Sequence, residues 1–194
     1  MKKKNQKIDN LKSDSKHPIL ELFFDIARLK SLYRQGWLRK GVSEREAESV
    51  AEHSFGVAML AMVIAEEYFP EMDLNKVMKM SVLHDIAESR AGDYTPHDDI
   101  SKDEKRKHQK DSAYEVLQQF PNPKKYITLW QEFFDQETKE AKLVRQVDKL
   151  EMALQADLYK RLGYEDLDEF YDYCNDLIDM PEVKEIISML RKTQ

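Results

Sequence analysis

Apolar residues recur at helical spacing along nearly the whole chain, and this pattern limits the possible folds more than any other feature. One face of a helix over residues 19–32 carries Leu22, Phe23, Ile26 and Leu29. Ser49 and Glu52 have the spacing of a capping box, which predicts a long helix ending near residue 69. Asp73 is a candidate N-cap for a helix that continues through Glu88.

The rest of the chain continues in the same way after a polar loop that starts at Gly92. Further helices are predicted at about 104–120, 123–136, 138–161, 165–177 and 182–192. No stretch alternates apolar and polar residues as a half-buried strand does, and no hairpin signal is present. The sequence therefore predicts an all-α fold.

A length of 194 residues fits one compact domain better than two. The first 17 residues are basic and lack the apolar region of a signal peptide. We therefore predict a flexible N-terminal tail at residues 1–17 and a single folded domain at residues 18–194.

Composition excludes several classes of function. The net charge is −6, and no basic stripe suited to a nucleic-acid backbone is present. None of the five glycines forms a phosphate-binding loop, and a single cysteine, Cys174, rules out an internal disulfide and a cysteine-based zinc site. No segment approaches the roughly 18 apolar residues of a membrane span. A cytoplasmic protein that binds neither nucleic acid nor membrane is expected.

Three places in the chain carry candidate metal ligands. His84 and Asp85 are adjacent near the end of an apolar helix, and His53 falls on the buried face of the Ser49 helix. Asp148 is the only charged residue in its sector of a long apolar helix. Each alone is more simply a hydrogen-bonded core histidine or an edge carboxylate with an ion pair. Together they form a nitrogen–oxygen donor set that suits one divalent ion, Mn²⁺, Fe²⁺, Co²⁺, Ni²⁺ or Zn²⁺, with open positions for water and substrate.

The order His53, His84-Asp85, Asp148, with intervals of 31 and 63 residues, resembles the signature of HD-domain phosphohydrolases. The segments 48–54, 84–88, 92–93 and 148–151 are similar to the branch that contains bacterial 5′-deoxynucleotidases and the HD-domain-containing protein 2 group. The similarity covers roughly residues 18 to 160. It implies a single HD-domain helical bundle that hydrolyses phosphate esters.

The resemblance also implies roles for four further residues. Glu88 would contact the attacking water or the phosphate, and Asp93 would handle proton transfer. Arg34 would grip the 5′-phosphate and Trp37 would press against the sugar, although two residues separate them here, as in the protein 2 group, whereas they adjoin in the enterobacterial enzymes. That difference leaves the strictness of deoxyribose selection open.

The expected reaction is hydrolysis of a deoxyribonucleoside 5′-monophosphate to a deoxynucleoside and phosphate, and the resemblance implies a homodimer. One alternative is hydrolysis of another nucleotide such as guanosine tetraphosphate. Another is a sensor that binds a nucleotide without cleaving it. The sequence does not identify the base or the metal.

Overall fold

Helices form the regular structure of the computed structural model, which describes residues 1–13 and 17–190. The helices are α1 (Pro18–Ser31), α2 (Gln35–Arg39), α3 (Val50–Tyr68), α4 (Leu74–Leu83), α5 (Glu88–Ala91), α6 (Lys102–Leu117), α7 (Pro123–Asp135), α8 (Lys139–Arg161), α9 (Asp168–Leu177) and α10 (Pro181–Met189). Within the described ranges, two isolated β-bridges are the only extended pairings, and the all-α prediction is confirmed. No helix in those ranges combines the length and the apolar character needed to cross a bilayer.

Local capping signals set the start of the longer helices. The side chain of Ser49 accepts from the amide of Glu52, whose carboxylate bonds back to the Ser49 amide, so the predicted capping box is present. Asp73 caps α4 by accepting from the amide of Lys76. Such caps satisfy amides that have no partner within the helix and each contributes about 1 kcal/mol.

The core forms where α8 packs against α3 and α4. Leu143, Val147 and Leu150 of α8 are fully buried in it, beside Val57 of α3 and Val77 of α4. Full burial of one such side chain is worth about 1.5–3 kcal/mol. Because α3 and α8 carry His53 and Asp148, and His84 directly follows α4, the packing of the core fixes the relative positions of the predicted ligands.

The helix predicted to run through Glu88 ends earlier, at Leu83. Over the next residues the amides bond three positions back instead of four, as in Ile86 to Leu83, Glu88 to Asp85 and Ser89 to Ile86. This tighter winding is typical of a 3₁₀ turn, a form that is common at helix ends. The prediction of one helix through Glu88 was wrong because the apolar residues keep their helical spacing beyond Leu83, whereas the backbone there winds into the tighter turn.

The predicted apolar face of α1 is only partly buried. Leu29 lies in the core, whereas Phe23 and Ile26 are exposed.

Residues 1–13, which fall within the predicted tail, include a short 3₁₀ helix at Gln6–Asn10, and the amide of Lys4 donates to the carbonyl of Ser31. The division of the chain after residue 17 stays a prediction.

Candidate functional site

His53 lies near the start of α3 with its ring fully buried. Its Nδ1 atom is 2.5 Å from Oε2 of Glu151. Because a carboxylate accepts hydrogen bonds, Nδ1 carries the proton and donates it, and Nε2 faces the opposite way. The contact with Glu151 therefore fixes both the orientation of the ring and the nitrogen that is open to a ligand.

His84 follows the last residue of α4 and has a similar arrangement. Its Nδ1 atom is 2.7 Å from the carbonyl oxygen of Ser81, which can only accept, so Nδ1 again donates. The Nε2 atoms of His84 and His53 lie 3.4 Å apart. When both rings are neutral, their Nε2 lone pairs face each other, and a cation bound by both nitrogens stabilises such a pair.

Two carboxylates complete the cluster. Oδ1 of Asp148 is 3.3 Å from Nε2 of His53, and Oδ2 of Asp85 is 3.1 Å from Nε2 of His84 and 3.7 Å from that of His53. Ligand atoms of His53, His84 and Asp148 all lie within 4.8 Å of one another. Asp85 adjoins both rings but stands outside that tighter set. The other oxygen of Asp148 is 3.1 Å from Nζ of Lys149.

The electrostatics of the cluster favour a positive charge at its centre. Burial and the charge of Arg34 lower the pKa of His53, but Glu151 and Asp148 outweigh them and raise that pKa to about 10. Burial opposes ionisation of Asp148 too, yet Lys149 and His53 hold its pKa well below the usual range. Asp148 therefore remains ionised, and its charge draws a cation to the nitrogens, whether that cation is a proton or a metal.

The distances within the donor set fit a metal ion. Ligands that bind at about 2.1 Å and at right angles are separated by about 3 Å. Four separations, between the two imidazole nitrogens and from them to the carboxylate oxygens beside them, are 3.1 to 3.7 Å and are close to that value. Imidazole nitrogen with carboxylate oxygen suits Mn²⁺, Fe²⁺, Co²⁺, Ni²⁺ or Zn²⁺.

Glu88 and Asp93 lie beside the cluster with different surroundings. Glu88 is 7% exposed, and its Oε2 atom is buried with no hydrogen-bond partner among the described residues. Burial, Asp85 and Asp93 raise the pKa of Glu88 well above its usual value. Asp93 is instead satisfied, since its Oδ2 accepts from the amide of Gln35 at 2.5 Å. An unpartnered carboxylate oxygen at a cavity wall is suited to bind a water or a substrate hydroxyl.

Arg34 and Trp37 both line the same cavity. The guanidinium of Arg34 lies 3.7 Å from Asp85 and 3.6 Å from Asp93, without a close bond to either. Trp37 is only 1% exposed, and its indole N–H donates to Glu48 at 2.8 Å. Its ring packs edge-on against Tyr159 and in a tilted contact with Phe170, so little of the ring is open to a ligand.

The cavity has a volume of about 840 Å³ and a basic lining. Its cationic residues are Arg34, Arg39, Lys40, Lys102, Lys105, Arg106, Arg145 and Lys149. Five acidic residues face these eight in a chain whose net charge is −6. The excess of positive charge at this one place favours an anionic ligand. Trp130, Phe133 and Phe134 contribute an aromatic wall.

Glu151 and Glu48 contact residues of the site, although the sequence alone predicted no role for either. Glu151 is one helical turn beyond Asp148, and this second buried acid on the same face was the available signal. Burial and Glu151 raise the pKa of Glu48 to about 7. A Cβ at Gly56 would lie 2.8 Å from Oε1 of Glu151, so glycine at 56 gives that carboxylate its place beside His53.

Comparisons with known proteins show which family the chain belongs to. The family model described as HD domain matches residues 26–184. The 5′-deoxynucleotidase HDDC2 of Dictyostelium discoideum is 35% identical over 183 residues, covering 88% of this chain and 95% of that protein. The human protein of the same name is 32% identical over 89% of this chain and 84% of its own length. A crystal structure of a Pyrococcus horikoshii OT3 protein superposes with a TM-score of 0.72 at 31% identity, covering 90% of this chain and 99% of that one.

Proposed function

Because the chain belongs to the HD domain family, we propose that it is a metal-dependent 5′-deoxynucleotidase that cleaves deoxyribonucleoside 5′-monophosphates. The observation that carries the proposal is the pair of buried imidazoles with facing Nε2 atoms, beside Asp148 and beneath a basic cavity. That combination suits a bound cation and an anionic substrate in the same place.

We assign His53, His84, Asp85 and Asp148 as the residues that would hold one divalent ion, Mn²⁺, Co²⁺, Fe²⁺, Ni²⁺ or Zn²⁺. When bound, such an ion lowers the pKa of water and neutralises charge on the phosphoryl group. Glu151 and the Ser81 carbonyl orient the two imidazoles from behind. Partners of this kind typically account for about 10–100-fold in metal affinity or activity.

The reaction forms a bond from the oxygen of water to phosphorus and breaks the bond from phosphorus to the 5′ oxygen of the sugar. One proton passes from the water to the leaving oxygen, which departs as a hydroxyl. Glu88 is suited to align the water because its free Oε2 has no competing partner among the described residues. We assign proton transfer at the leaving oxygen to Asp93, whose orientation the Gln35 amide fixes.

Arg34 is proposed to bind the phosphate. Its guanidinium stays charged at all relevant pH values and presents several N–H donors in one plane. Its nearest carboxylates, at 3.6 and 3.7 Å, leave it without a tight ion pair, so a phosphate can bind without displacing one.

Turnover of a nucleotide panel with Mn²⁺ or Co²⁺ tests the proposed function. We expect phosphate release from several deoxyribonucleoside 5′-monophosphates and little from guanosine tetraphosphate. Preferred cleavage of guanosine tetraphosphate would instead identify that nucleotide as the substrate. Saturable nucleotide binding with no phosphate release under either metal would indicate a sensor.

Trp37 provides a test of sugar selection. If the indole of Trp37 crowds the 2′ position of the sugar, kcat/KM for dAMP should exceed kcat/KM for AMP. The ratio should reach at most about a hundredfold, because shape alone discriminates weakly against one added hydroxyl. Trp37→Phe should narrow the ratio by improving AMP use, and it leaves a smaller void than Trp37→Ala. Arg34→Ala should lower kcat/KM for dAMP and for AMP by similar factors, because both nucleotides carry the same phosphate. If Trp37→Phe leaves the ratio of kcat/KM for dAMP and AMP unchanged, Trp37 has no part in sugar selection.

We further propose that the protein is a homodimer that uses an apolar stripe on α3. Phe55, Met59 and Val63 repeat every four residues and are 69%, 43% and 55% exposed. A stripe of this kind on one helical face is typical of an interaction surface, and two copies of it can meet across a twofold axis. Phe55→Glu should yield a monomer by light scattering, whereas Tyr114→Glu, at an exposed site on α6, should not. A monomeric parent protein would contradict the proposal.

A further inference from the structure

The N-terminal segment, defined here as residues 1–5, is bound along the stretch that leads into α2. The amide of Lys4 donates to the carbonyl of Ser31 at 2.7 Å, and the amide of Asn5 donates to Oγ of Ser31 at 2.9 Å. Lys3 and Leu32 form an antiparallel bridge. The segment therefore lies beside the backbone that carries Arg34.

Gln35 joins this segment to the candidate active site. Its Oε1 accepts from the amide of Lys2 at 2.8 Å, and its Nε2 donates to the carbonyls of Lys2 at 2.9 Å and Tyr33 at 2.7 Å. Its own amide donates to Oδ2 of Asp93 at 2.5 Å. Gln35 is 8% exposed, so its amide group is largely shielded from water although Lys2 is exposed.

A second contact of the N-terminal segment reaches the same loop. Gly92 has a φ of +86°, a left-handed conformation that favours glycine, and a Cβ at this position would overlap the thioether of Met1. Met1 and Gln35 thus hold the backbone at Gly92 and the carboxylate of Asp93.

We infer that Gln35, anchored by the N-terminal segment, is a positioning residue for the reaction and acts through Asp93. The inference rests on the proposed function, since Asp93 is its proton-transfer group. The amide of residue 35 can orient Asp93 only as accurately as its own backbone is held. The three side-chain bonds of Gln35 supply that hold, and they also fix the adjoining Arg34.

A substitution of similar volume separates these bonds from packing. Gln35→Met fills the same space but makes none of the three side-chain hydrogen bonds. We expect kcat/KM for dAMP to fall by roughly tenfold or more, since small displacements of a reacting group are costly. Lys2→Gln is the matched control, because it removes only the exposed ion pair with Glu44 and retains the backbone bonds to Gln35.

A double-mutant cycle tests whether Gln35 acts through Asp93. In an Asp93→Asn background, Gln35→Met should lower kcat/KM far less than in the parent, because the positioned group is already impaired. Equal reductions in both backgrounds would overturn the inference and leave Gln35 with a general structural role.

Amide exchange in the unmutated protein gives a readout that does not depend on the folding of any variant. The amides of Lys4 and Gln35 should be protected from exchange. Unprotected amides at both positions would show that the segment is not bound and would defeat the inference. If the parent protein cleaves no nucleotide, the proposed function fails, whereas the exchange result still decides whether the segment holds Gln35.

Discussion

Replacing Asp148 with alanine is expected to abolish stoichiometric metal binding and hydrolysis while the helices remain folded. Its Oδ1 atom belongs to the three-residue donor set with His53 and His84. In the parent protein Nζ of Lys149 lies 3.1 Å from the Asp148 carboxylate. The substitution removes that partner, and the uncompensated charge of Lys149 would repel a cation. The loss of metal affinity should therefore exceed the roughly 10–100-fold typical of residues that only orient a ligand.

Metal content by elemental analysis and Mn²⁺ titration by calorimetry measure this effect, and circular dichroism checks the fold. Asp157→Ala is a suitable control because Asp157 lies on the same helix, where it pairs with Arg161. The control should keep both metal and activity. Full metal occupancy in Asp148→Ala would remove Asp148 from the proposed ligand set.

Signals that act within a few residues were readable from the sequence. The capping box of Ser49 and Glu52 predicted where α3 begins, because its two hydrogen bonds need only local chain geometry. The position of Asp148 among apolar neighbours on α8 predicted its burial, because helical periodicity places each residue on a known face. The family was indicated separately, by the resemblance of the order His53, His84-Asp85, Asp148 and its flanking segments to the HD-domain signature.

Features that depend on contacts between distant segments were not readable. Glu151 bonds His53 across 98 positions, and Gln35 bonds Lys2 and Asp93 across 33 and 58. No local pattern encodes such distances. The early end of α4 at Leu83 has the same origin, since the apolar spacing that favours a continued helix competes with tertiary packing around His84.

Replacing Glu88 with glutamine or alanine should leave the metal bound but reduce turnover by on the order of a hundredfold or more, the usual contribution of one acid–base group. Glutamine keeps the volume of glutamate but has no carboxyl proton to exchange with the water or the phosphate. The fall should appear in kcat more than in KM, because the proposed contact serves the chemical step rather than phosphate binding.

Stability provides a second readout for the same residue. Burial and the charges of Asp85 and Asp93 already disfavour an ionised Glu88, as the raised pKa shows, so Glu88→Gln should melt at the same temperature or higher. Glu66→Gln, at an exposed position on α3, is the matched control and should change neither turnover nor melting. Near-normal turnover in Glu88→Gln would exclude Glu88 from the mechanism, and loss of metal would reassign it as a ligand. Slow turnover with full metal content and an unimpaired melting temperature is the combination that the free Oε2 atom predicts.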